Sequence, residues 1–431
     1  MGLLLRGTVV TLTETGILNP GEVAIEGEDI VHVGPSGTTP PDFKVEKVLG
    51  GEDYLIIPGF VNCHTHIAMT LLRSYADDLP LMTWLEEKIW PVEAKLSGED
   101  VYWGTMLGIV EMIRSGTTAF ADMYFFMDEV ARAVEESGIR ASLSRGLIGV
   151  GPNADEALAE NVSLYENWHN RAGGRITVMF GPHAPYTCPP DYLRKVMAAA
   201  EKVGAPIHIH VAETRAEEEG IVRDYGKRPV RHLADIGLFR LPTLAAHCVH
   251  LNEEDMEILR QHDVRVAHNP QSNLKLASGI APVPALLQKG VTVGLGTDGA
   301  SSNNNLDMLE EVRTAALLHK GTSGDPTVLP AEEALAMATR EGAKALFIDD
   351  RVGTIAAGKK ADLVLVNTRR CRFYPHHDPV ANLVYAATAQ DIDTVMVNGR
   401  ILMEKGELTT IDEEKVLAMA EKCARRLVGR G

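Results

Sequence analysis

The sequence has few cysteines and no long apolar run. Its five cysteines are scattered and form no Cys-x-x-Cys pair, which argues against a disulfide framework and fits a reducing compartment. No stretch approaches the roughly 18 apolar residues that would cross a bilayer, and the apolar run at the N-terminus is too short for a signal peptide. We therefore expect a cytoplasmic protein that does not associate with membranes.

Basic residues are in deficit. The 42 lysines and arginines stand against 59 aspartates and glutamates, so the formal net charge is −17. An acidic surface repels phosphate backbones, and no basic patch interrupts this one, so nucleic acid is excluded as an expected partner. Hydrophobic residues (45%) and charged residues (23%) occur in the proportions of a well-packed chain, which excludes wholesale disorder. These features predict a small ligand carried in a pocket.

Both ends of the chain have a β-type pattern. Short runs separated by turn residues occur at residues 9–12, 22–25, 30–33, 362–366 and 394–397. Asn398-Gly399 follows the last of these runs and is a strong hairpin signal. We predict that residues 1–57 and 351–431 meet as one small β-sandwich, the second part carrying a C-terminal helix.

The middle of the chain alternates strand and helix patterns. Eight short apolar or β-branched runs occupy residues 60–63, 117–121, 141–144, 176–180, 206–211, 243–248, 264–267 and 291–295. Helical patterns lie between most of them. This alternation predicts an α/β fold in which residues 58–350 form a (β/α)₈ TIM-type barrel. A doubly wound sheet is the rival architecture, but its glycine-rich phosphate fingerprint after the first strand is missing.

Residues able to bind a metal or carry a proton lie at the ends of four of the predicted strands. They are His64 and His66, His210 and Glu213, His247, and Asp298. Catalytic residues of such barrels lie at the carboxyl ends of the strands, and side chains two apart on a strand share a face. Three imidazoles and one carboxylate suit Zn²⁺ or Fe²⁺ better than Mg²⁺ or Ca²⁺. The alternative is a set of buried histidines satisfied by hydrogen bonds, and we expect His208 to be such a packed core residue.

Several segments resemble the amidohydrolase superfamily of metal-dependent hydrolases. Residues 58–66, Pro-Gly-Phe-Val-Asn-Cys-His-Thr-His, resemble its opening strand. Residues 210–213, His247 and residues 296–298 resemble its later metal and catalytic elements, and residues 353–363 resemble its return into the small β domain. The similarity covers essentially the whole chain.

The resemblance implies one metal ion in each subunit. Superfamily members with two metals bridge them with a carbamylated lysine on strand four, and residues 175–183 contain no lysine. The ligands implied for a single Zn²⁺, or Fe²⁺, are His64, His66, His210 and Asp298. Glu213 resembles the proton-shuttling glutamate of the deaminase branch. The separate cytidine-deaminase fold is excluded because its Pro-Cys-x-x-Cys signature is absent.

A closer resemblance is to the 5′-methylthioadenosine/S-adenosylhomocysteine deaminases. The segments that carry it are residues 81–85, 90–93, Arg145, residues 183–186 and residues 298–304. It implies that Glu93 binds ribose hydroxyls, that Arg145 and His183 bind the sugar and the end beyond it, and that Trp84 covers the purine. Residues 149–155 lack a second arginine that some members carry there. Without the family, Glu93 could be a solvated helix-end carboxylate and Arg145 a structural ion-pair partner.

The implied activity is zinc-dependent hydrolytic removal of the adenine amino group from these nucleoside thioethers, and whether adenosine also reacts is left open. Asp298 would move the proton of the attacking water, Glu213 would protonate ring N1, and His247 would direct the attack. The enzymatic alternatives are a free-base guanine or cytosine deaminase and a triazine-type chlorohydrolase. A non-catalytic scaffold or a zinc-dependent binding protein is the alternative from another class. We expect the protein to be a homo-oligomer.

Overall fold

Along the sequence, the barrel strands lie between two groups of strands that belong to the chain ends. The computed structural model describes residues 2–79 and 81–429. The strands are β1 (Gly2–Val10), β2 (Ile17–Glu26), β3 (Asp29–Pro35), β4 (Lys47–Pro58), β5 (Phe60–Thr65), β6 (Thr117–Tyr124), β7 (Arg140–Leu147), β8 (Ile176–Val178), β9 (Gly181–Pro182), β10 (Ile207–Val211), β11 (Thr243–His247), β12 (Arg265–His268), β13 (Val293–Leu295), β14 (Leu363–Asn367), β15 (Ile392–Val397), β16 (Arg400–Glu404) and β17 (Glu407–Leu408).

Helices follow most of the middle strands. They are α1 (Leu81–Trp84), α2 (Trp90–Glu93), α3 (Gly98–Arg114), α4 (Met127–Ser137), α5 (Ala154–Trp168), α6 (Arg171–Gly174), α7 (Pro190–Val203), α8 (Arg215–Tyr225), α9 (Pro229–Ile236), α10 (Glu253–Gln261), α11 (Pro270–Lys275), α12 (Val283–Gln288), α13 (Met308–Ser323), α14 (Ala331–Met337), α15 (Arg340–Ala345), α16 (Pro379–Tyr385) and α17 (Glu413–Leu427). A π-helical turn, Leu85–Ile89, joins α1 to α2. Within residues 2–79 and 81–429, no helix has the length and apolarity needed to cross a membrane.

The middle strands close into a parallel barrel. Strands β5, β6, β7 and β8 pair in that order, and β10, β11, β12 and β13 form the other half. One seam is closed by the bridge between Phe180 and Ile207. The other is closed where the Asp298 N–H donates to the His64 carbonyl over 2.9 Å. The predicted (β/α)₈ barrel is therefore confirmed, and every strand carries its carboxyl end to one rim.

Burial on both faces explains the apolar character of the barrel strands. All eight residues of β6 are buried, since the helices cover one face and the barrel interior fills the other. Small side chains such as Ala119, Ala121 and Ala267 pack in the interior together with Cys63 and Met179. The barrel is thus a packed core, and functional side chains must lie at its rim.

Helix α3 begins at a capping box that is visible in the sequence. The Ser97 hydroxyl accepts from the Asp100 N–H, and the Asp100 carboxylate accepts from the Ser97 N–H over 2.8 Å. This exchange satisfies two backbone donors that would otherwise lack partners at the helix start. The cap therefore ends the excursion between β5 and α3, in which α1 and α2 lie over the barrel rim.

The terminal strands form one β module from both ends of the chain. They hydrogen-bond in the order β17-β16-β15-β14-β4-β1-β2-β3, with β1 and β4 parallel. Their apolar side chains pack in a cluster separate from the main barrel core. Asn398 and Gly399 form the predicted two-residue hairpin between β15 and β16, with φ of 48° and 69°. The domain boundaries after residues 57 and 350 stay predictions.

Candidate active site

The predicted metal ligands converge at the carboxyl ends of three barrel strands. His64 lies in β5 and His66 directly follows that strand, so both imidazoles point to the same side. His210 lies in β10, and Asp298 follows β13. The ligand atoms of His64, His66 and Asp298 lie within 4.8 Å of one another, as do those of His64, His210 and His247.

The distances within this cluster fit one tetrahedral ion. The Asp298 Oδ1 atom lies 3.6 Å from His64 Nε2 and 3.5 Å from His66 Nε2. The Nε2 atoms of His66 and His210 are 3.3 Å apart. Donors that share one zinc ion at about 2.0 to 2.1 Å lie about 3.3 Å from each other in a tetrahedral site. The residues present can therefore hold a single divalent metal.

The outer nitrogens of two histidines are held by backbone carbonyls. His66 Nδ1 donates to the Met123 carbonyl over 2.6 Å, and His210 Nδ1 donates to the His183 carbonyl over 2.7 Å. Each bond places the ring proton on Nδ1 and leaves a lone pair on Nε2, which faces the cluster. This arrangement is the usual support of a metal-binding imidazole.

One ring nitrogen of His64 is buried at a position where a metal ion could bind it. Its Nε2 atom is buried and has no hydrogen-bond partner among residues 2–79 and 81–429. Burial, and then the neighbouring histidines, hold the pKa of His64 well below its usual value, so the imidazole is neutral and able to coordinate. Leaving such a nitrogen unpaired is costly unless an ion satisfies it. This orphaned atom is an independent sign that the cluster is a metal site.

Asp298 is oriented by donors from its own loop and from helix α11. Its Oδ2 atom accepts from the Ser272 hydroxyl over 2.6 Å and from the Ser302 hydroxyl over 3.0 Å, and its Oδ1 atom accepts from the Gly299 N–H over 2.7 Å. Burial raises the pKa of Asp298, but nearby histidines and these donors lower it by more than burial raises it. The net pKa therefore lies below its usual value. The carboxylate is consequently ionised.

Two groups that can transfer protons lie beside the four predicted metal ligands, which we call the metal cluster below. Glu213 Oε2 lies 3.8 Å from His247 Nε2, and both side chains are buried. Burial raises the pKa of Glu213 above its usual value. Burial lowers the pKa of His247, but the charges of Glu213 and Asp298 outweigh that effect and raise it. A buried carboxyl group and a neighbouring imidazole whose pKa values both lie above their usual values can exchange protons with a bound molecule.

Strained backbone supports this rim. Ala212, His247 and Asp298 adopt positive φ values of 51°, 72° and 62°. Such values are unfavourable for residues other than glycine and persist where the surroundings impose them, often at functional sites. Beside Ala212, Glu217 accepts the N–H groups of Ala212 and Glu213 over 2.9 and 2.8 Å. That carboxylate fixes the turn that presents Glu213.

A cavity with about 760 Å³ of empty space, partly open to solvent, lies over the cluster. Trp84, Glu93 and His183 line it together with Glu213 and the metal cluster. His183 Nδ1 bonds the Thr187 hydroxyl over 2.9 Å, and burial lowers its pKa to about 4, so the ring is neutral. The structure therefore places three of the four additional substrate-binding candidates around one pocket.

Arg145 lies in an adjoining cavity. This second space shares Trp90, Glu93 and Phe125 with the first and continues away from the metal cluster. Arg145 Nε pairs with Glu160 Oε2 over 2.6 Å, and its guanidinium lies over the Phe125 ring at 4.9 Å. The ion-pair partner that sequence reasoning allowed is thus present, at a position where Arg145 also faces the second cavity.

Sequence reasoning missed several residues that support the site. His208 is fully buried as predicted, but its Nε2 contacts His64 Nδ1 at 2.8 Å, and burial lowers its pKa to about 3. The Tyr124 hydroxyl donates to Glu93 Oε1 over 2.7 Å. Asn273 Oδ1 accepts from His247 Nδ1 over 2.9 Å. The position of Tyr124 at the end of β6 could have indicated that it lies near the site. Its hydrogen bond to Glu93 could not be predicted without the fold.

The fold and site define a TIM-type hydrolase with a metal-binding rim, and the sequence comparisons specify the family. The sequence model of the amidohydrolase family matches residues 55–402. The chain is 59% identical to a 5-methylthioadenosine/S-adenosylhomocysteine deaminase of Pelotomaculum thermopropionicum, over 99% of both chains. The chain belongs to the amidohydrolase family.

Solved structures agree with this assignment. The fold matches an adenosine deaminase from Xanthomonas campestris with bound zinc at a TM-score of 0.95 and 38% identity, covering 99% of this chain and 98% of that one. It also matches an atrazine chlorohydrolase from Arthrobacter aurescens complexed with zinc, at a TM-score of 0.91 and 24% identity, covering 98% of this chain and 100% of that one. The second likeness concerns the fold alone.

Proposed function

We propose that the protein is a zinc-dependent aminohydrolase that deaminates the adenine ring of 5′-methylthioadenosine and S-adenosylhomocysteine, releasing ammonia and the inosine analogue. The observation that carries this proposal is the placement of Glu213, His247 and Asp298 around one cavity beside a three-histidine cluster. The name of the Pelotomaculum thermopropionicum relative, at 59% identity over 99% of both chains, supports the choice of substrates.

His64, His66, His210 and Asp298 would hold the metal ion. Neutral imidazoles and a carboxylate are the ligands that Zn²⁺ prefers, with Fe²⁺ as the alternative. When bound, the ion would polarise a water molecule and bring the pKa of that water to about 7. His247, with its raised pKa, is better suited to donate a hydrogen bond than to coordinate, so we place it outside the ligand set.

The carboxyl groups would move the protons of the reaction. Glu213 would protonate ring N1, which makes C6 more electrophilic, and burial, which raises the pKa of Glu213, favours the protonated form that this step needs. Asp298 would take one proton from the attacking water and deliver it to the leaving amino group. The second water proton would return to Glu213 as the C6 carbonyl forms, which restores both carboxyl groups. His247 would hydrogen-bond the attacking oxygen and orient it.

The cavity walls would bind the nucleoside. Trp84 lies where it can cover a purine and exclude water from the reacting carbon. Glu93 would accept hydrogen bonds from ribose hydroxyls, and His183 would contact the sugar. Arg145 would meet the part of the substrate that extends into the adjoining cavity.

The enzymatic alternatives fit this cavity less well. A free guanine or cytosine, or a triazine, has no sugar or sulfur arm to reach Glu93 and the second cavity beyond it. The cytoplasmic location and the homo-oligomer expected from the sequence stay predictions.

A substrate panel tests the proposed function. Ammonia release is measured with the zinc-loaded enzyme on methylthioadenosine, S-adenosylhomocysteine, adenosine, guanine and cytosine. We expect the highest kcat/KM on the two nucleoside thioethers. Turnover confined to a free base would refute the nucleoside assignment, and turnover that survives removal of metal by a chelator would refute metal dependence.

A further inference from the structure

A chain of side chains runs outward from the metal cluster through the interior of the barrel. His64 Nδ1 contacts His208 Nε2 at 2.8 Å, and His208 Nδ1 contacts the Ser144 hydroxyl at 3.4 Å. The Ser144 hydroxyl donates to the Asp122 carbonyl over 2.9 Å. The chain thus crosses from β5 to β10, then to β7, and ends on the backbone of β6.

The order of donors and acceptors along this series of hydrogen bonds follows from its end at the Asp122 carbonyl. A carbonyl oxygen only accepts, so the hydroxyl proton of Ser144 points to Asp122, and the Ser144 oxygen is left to accept from His208 Nδ1. His208 therefore carries its proton on Nδ1 and presents a lone pair on Nε2. That lone pair accepts the Nδ1 proton of His64, so His64 Nε2 has no proton and faces the metal cluster.

In the other two proposed histidine ligands, backbone carbonyls hold the proton on Nδ1 and leave Nε2 free of a proton. His66 and His210 each donate Nδ1–H to a main-chain carbonyl. His64 lies deeper and is fully buried, and its ring reaches a side chain instead. A ring held by no partner could rotate or change its tautomer, and either change would remove one ligand from the site.

We propose that His208 is a positioning residue that fixes the tautomer and the orientation of His64, and through them the affinity of the metal site. The proposal rests on the ligand set of the proposed function but not on its substrate. Measurements of metal binding can therefore support or refute it, whichever nucleoside is deaminated.

Two substitutions of His208 distinguish the loss of its hydrogen bond to His64 from the loss of its side-chain volume. In His208→Gln the amide oxygen can accept the His64 proton near the place of Nε2, whereas the similarly long side chain of His208→Met cannot. Zn²⁺ affinity is measured on the full-length protein by competition with a chromophoric chelator. We expect His208→Met to weaken Zn²⁺ binding about 10- to 100-fold, the usual loss when such a partner is removed. His208→Gln should remain within a few-fold of the wild type.

Two further measurements complete the test. The absorption spectrum of the Co²⁺-loaded protein should change in His208→Met and be retained in His208→Gln, since it reports ligand geometry. His268→Met is the matched control, because His268 is an equally buried strand-end histidine that contacts His319 instead of a ligand. That variant should keep the Zn²⁺ affinity of the wild type.

Equal Zn²⁺ affinity in wild type and His208→Met would overturn the proposal, as would equal weakening by Met and Gln. If His208→Met does not fold, Ser144→Ala replaces it, since that change removes the acceptor of His208 Nδ1 and leaves both histidines in place. We then expect a few-fold loss of Zn²⁺ affinity, and an unchanged affinity would overturn the proposal. Absence of turnover on methylthioadenosine alone would count against the proposed function and leave this inference intact.

Discussion

Tyr124 donates a hydrogen bond of 2.7 Å to Glu93 at the wall of the cavity, joining the end of a barrel strand to the helical excursion that covers the rim. Burial raises the pKa of Glu93, and the bond from Tyr124 opposes that rise. Tyr124 therefore stabilises the carboxylate form of Glu93 and fixes its direction. A substrate hydroxyl would meet an acceptor that is already positioned.

Tyr124→Phe should consequently raise KM for methylthioadenosine about tenfold or more, since hydrogen bonds to charged groups contribute about 1.5 to 3 kcal/mol. The effect on kcat should be smaller, because the reacting carbon lies elsewhere. Steady-state kinetics measures both, and Tyr165→Phe, whose hydroxyl donates to the Val203 carbonyl, is the control. Combining Tyr124→Phe with Glu93→Gln should give less than additive losses. A fall in kcat at constant KM would contradict the assignment.

Glu213→Gln should keep the bound metal and lose about 10² to 10⁴ in kcat. The amide has nearly the same shape but cannot give a proton to ring N1, and general acid catalysis contributes about that much. Metal content by elemental analysis and turnover of methylthioadenosine are measured on the same preparation. Turnover close to that of the wild type would remove Glu213 from the proton-transfer role.

His66→Ala should lose most of its metal, because it removes a proposed ligand whose Nε2 lies 3.5 Å from Asp298 Oδ1 and 3.3 Å from His210 Nε2. Zinc per chain is determined after dialysis against a weak chelator. The exposed His262 provides the control substitution, His262→Ala, which should retain full zinc. One zinc ion per chain in His66→Ala would contradict the ligand set.

Glu217 should make the stability of the protein depend on pH. Burial raises the pKa of its carboxyl from the ordinary 4.5 to about 7, although two backbone N–H groups oppose the rise. The folded chain therefore binds this proton more tightly than the unfolded chain does. The stabilisation is fully present below pH 4.5 and is lost as the pH rises through about 7.

The free energy of unfolding tests this dependence in wild type and Glu217→Gln at pH 5 and pH 8. The wild type should lose up to about 3 kcal/mol relative to the variant over this range, at about 1.4 kcal/mol for each pKa unit. Glu219→Gln, on the exposed side of the same helix, should follow the wild type. Parallel curves for wild type and Glu217→Gln would refute the assignment.

Local patterns were sufficient for most of the fold. The eight barrel strands fall where short apolar runs predict them, because buried parallel strands need apolar side chains on both faces. Asn398 and Gly399 tolerate positive φ, so their sequence alone specifies the hairpin turn. The domain boundaries are not tested by these agreements.

The order of amino acids specifies which residue types stand at the strand ends, and the two-residue spacing of His64 and His66 places both imidazoles on one side. The hydrogen-bond partners of such side chains depend on how the chain folds in three dimensions. His64 meets His208 across 144 positions of sequence, and Glu93 meets Tyr124 across 31. Side-chain hydrogen bonds of this kind depend on barrel closure and on how the covering helices pack. No local periodicity encodes that geometry, and so His208 could be predicted as buried, but its contact with His64 could not be predicted.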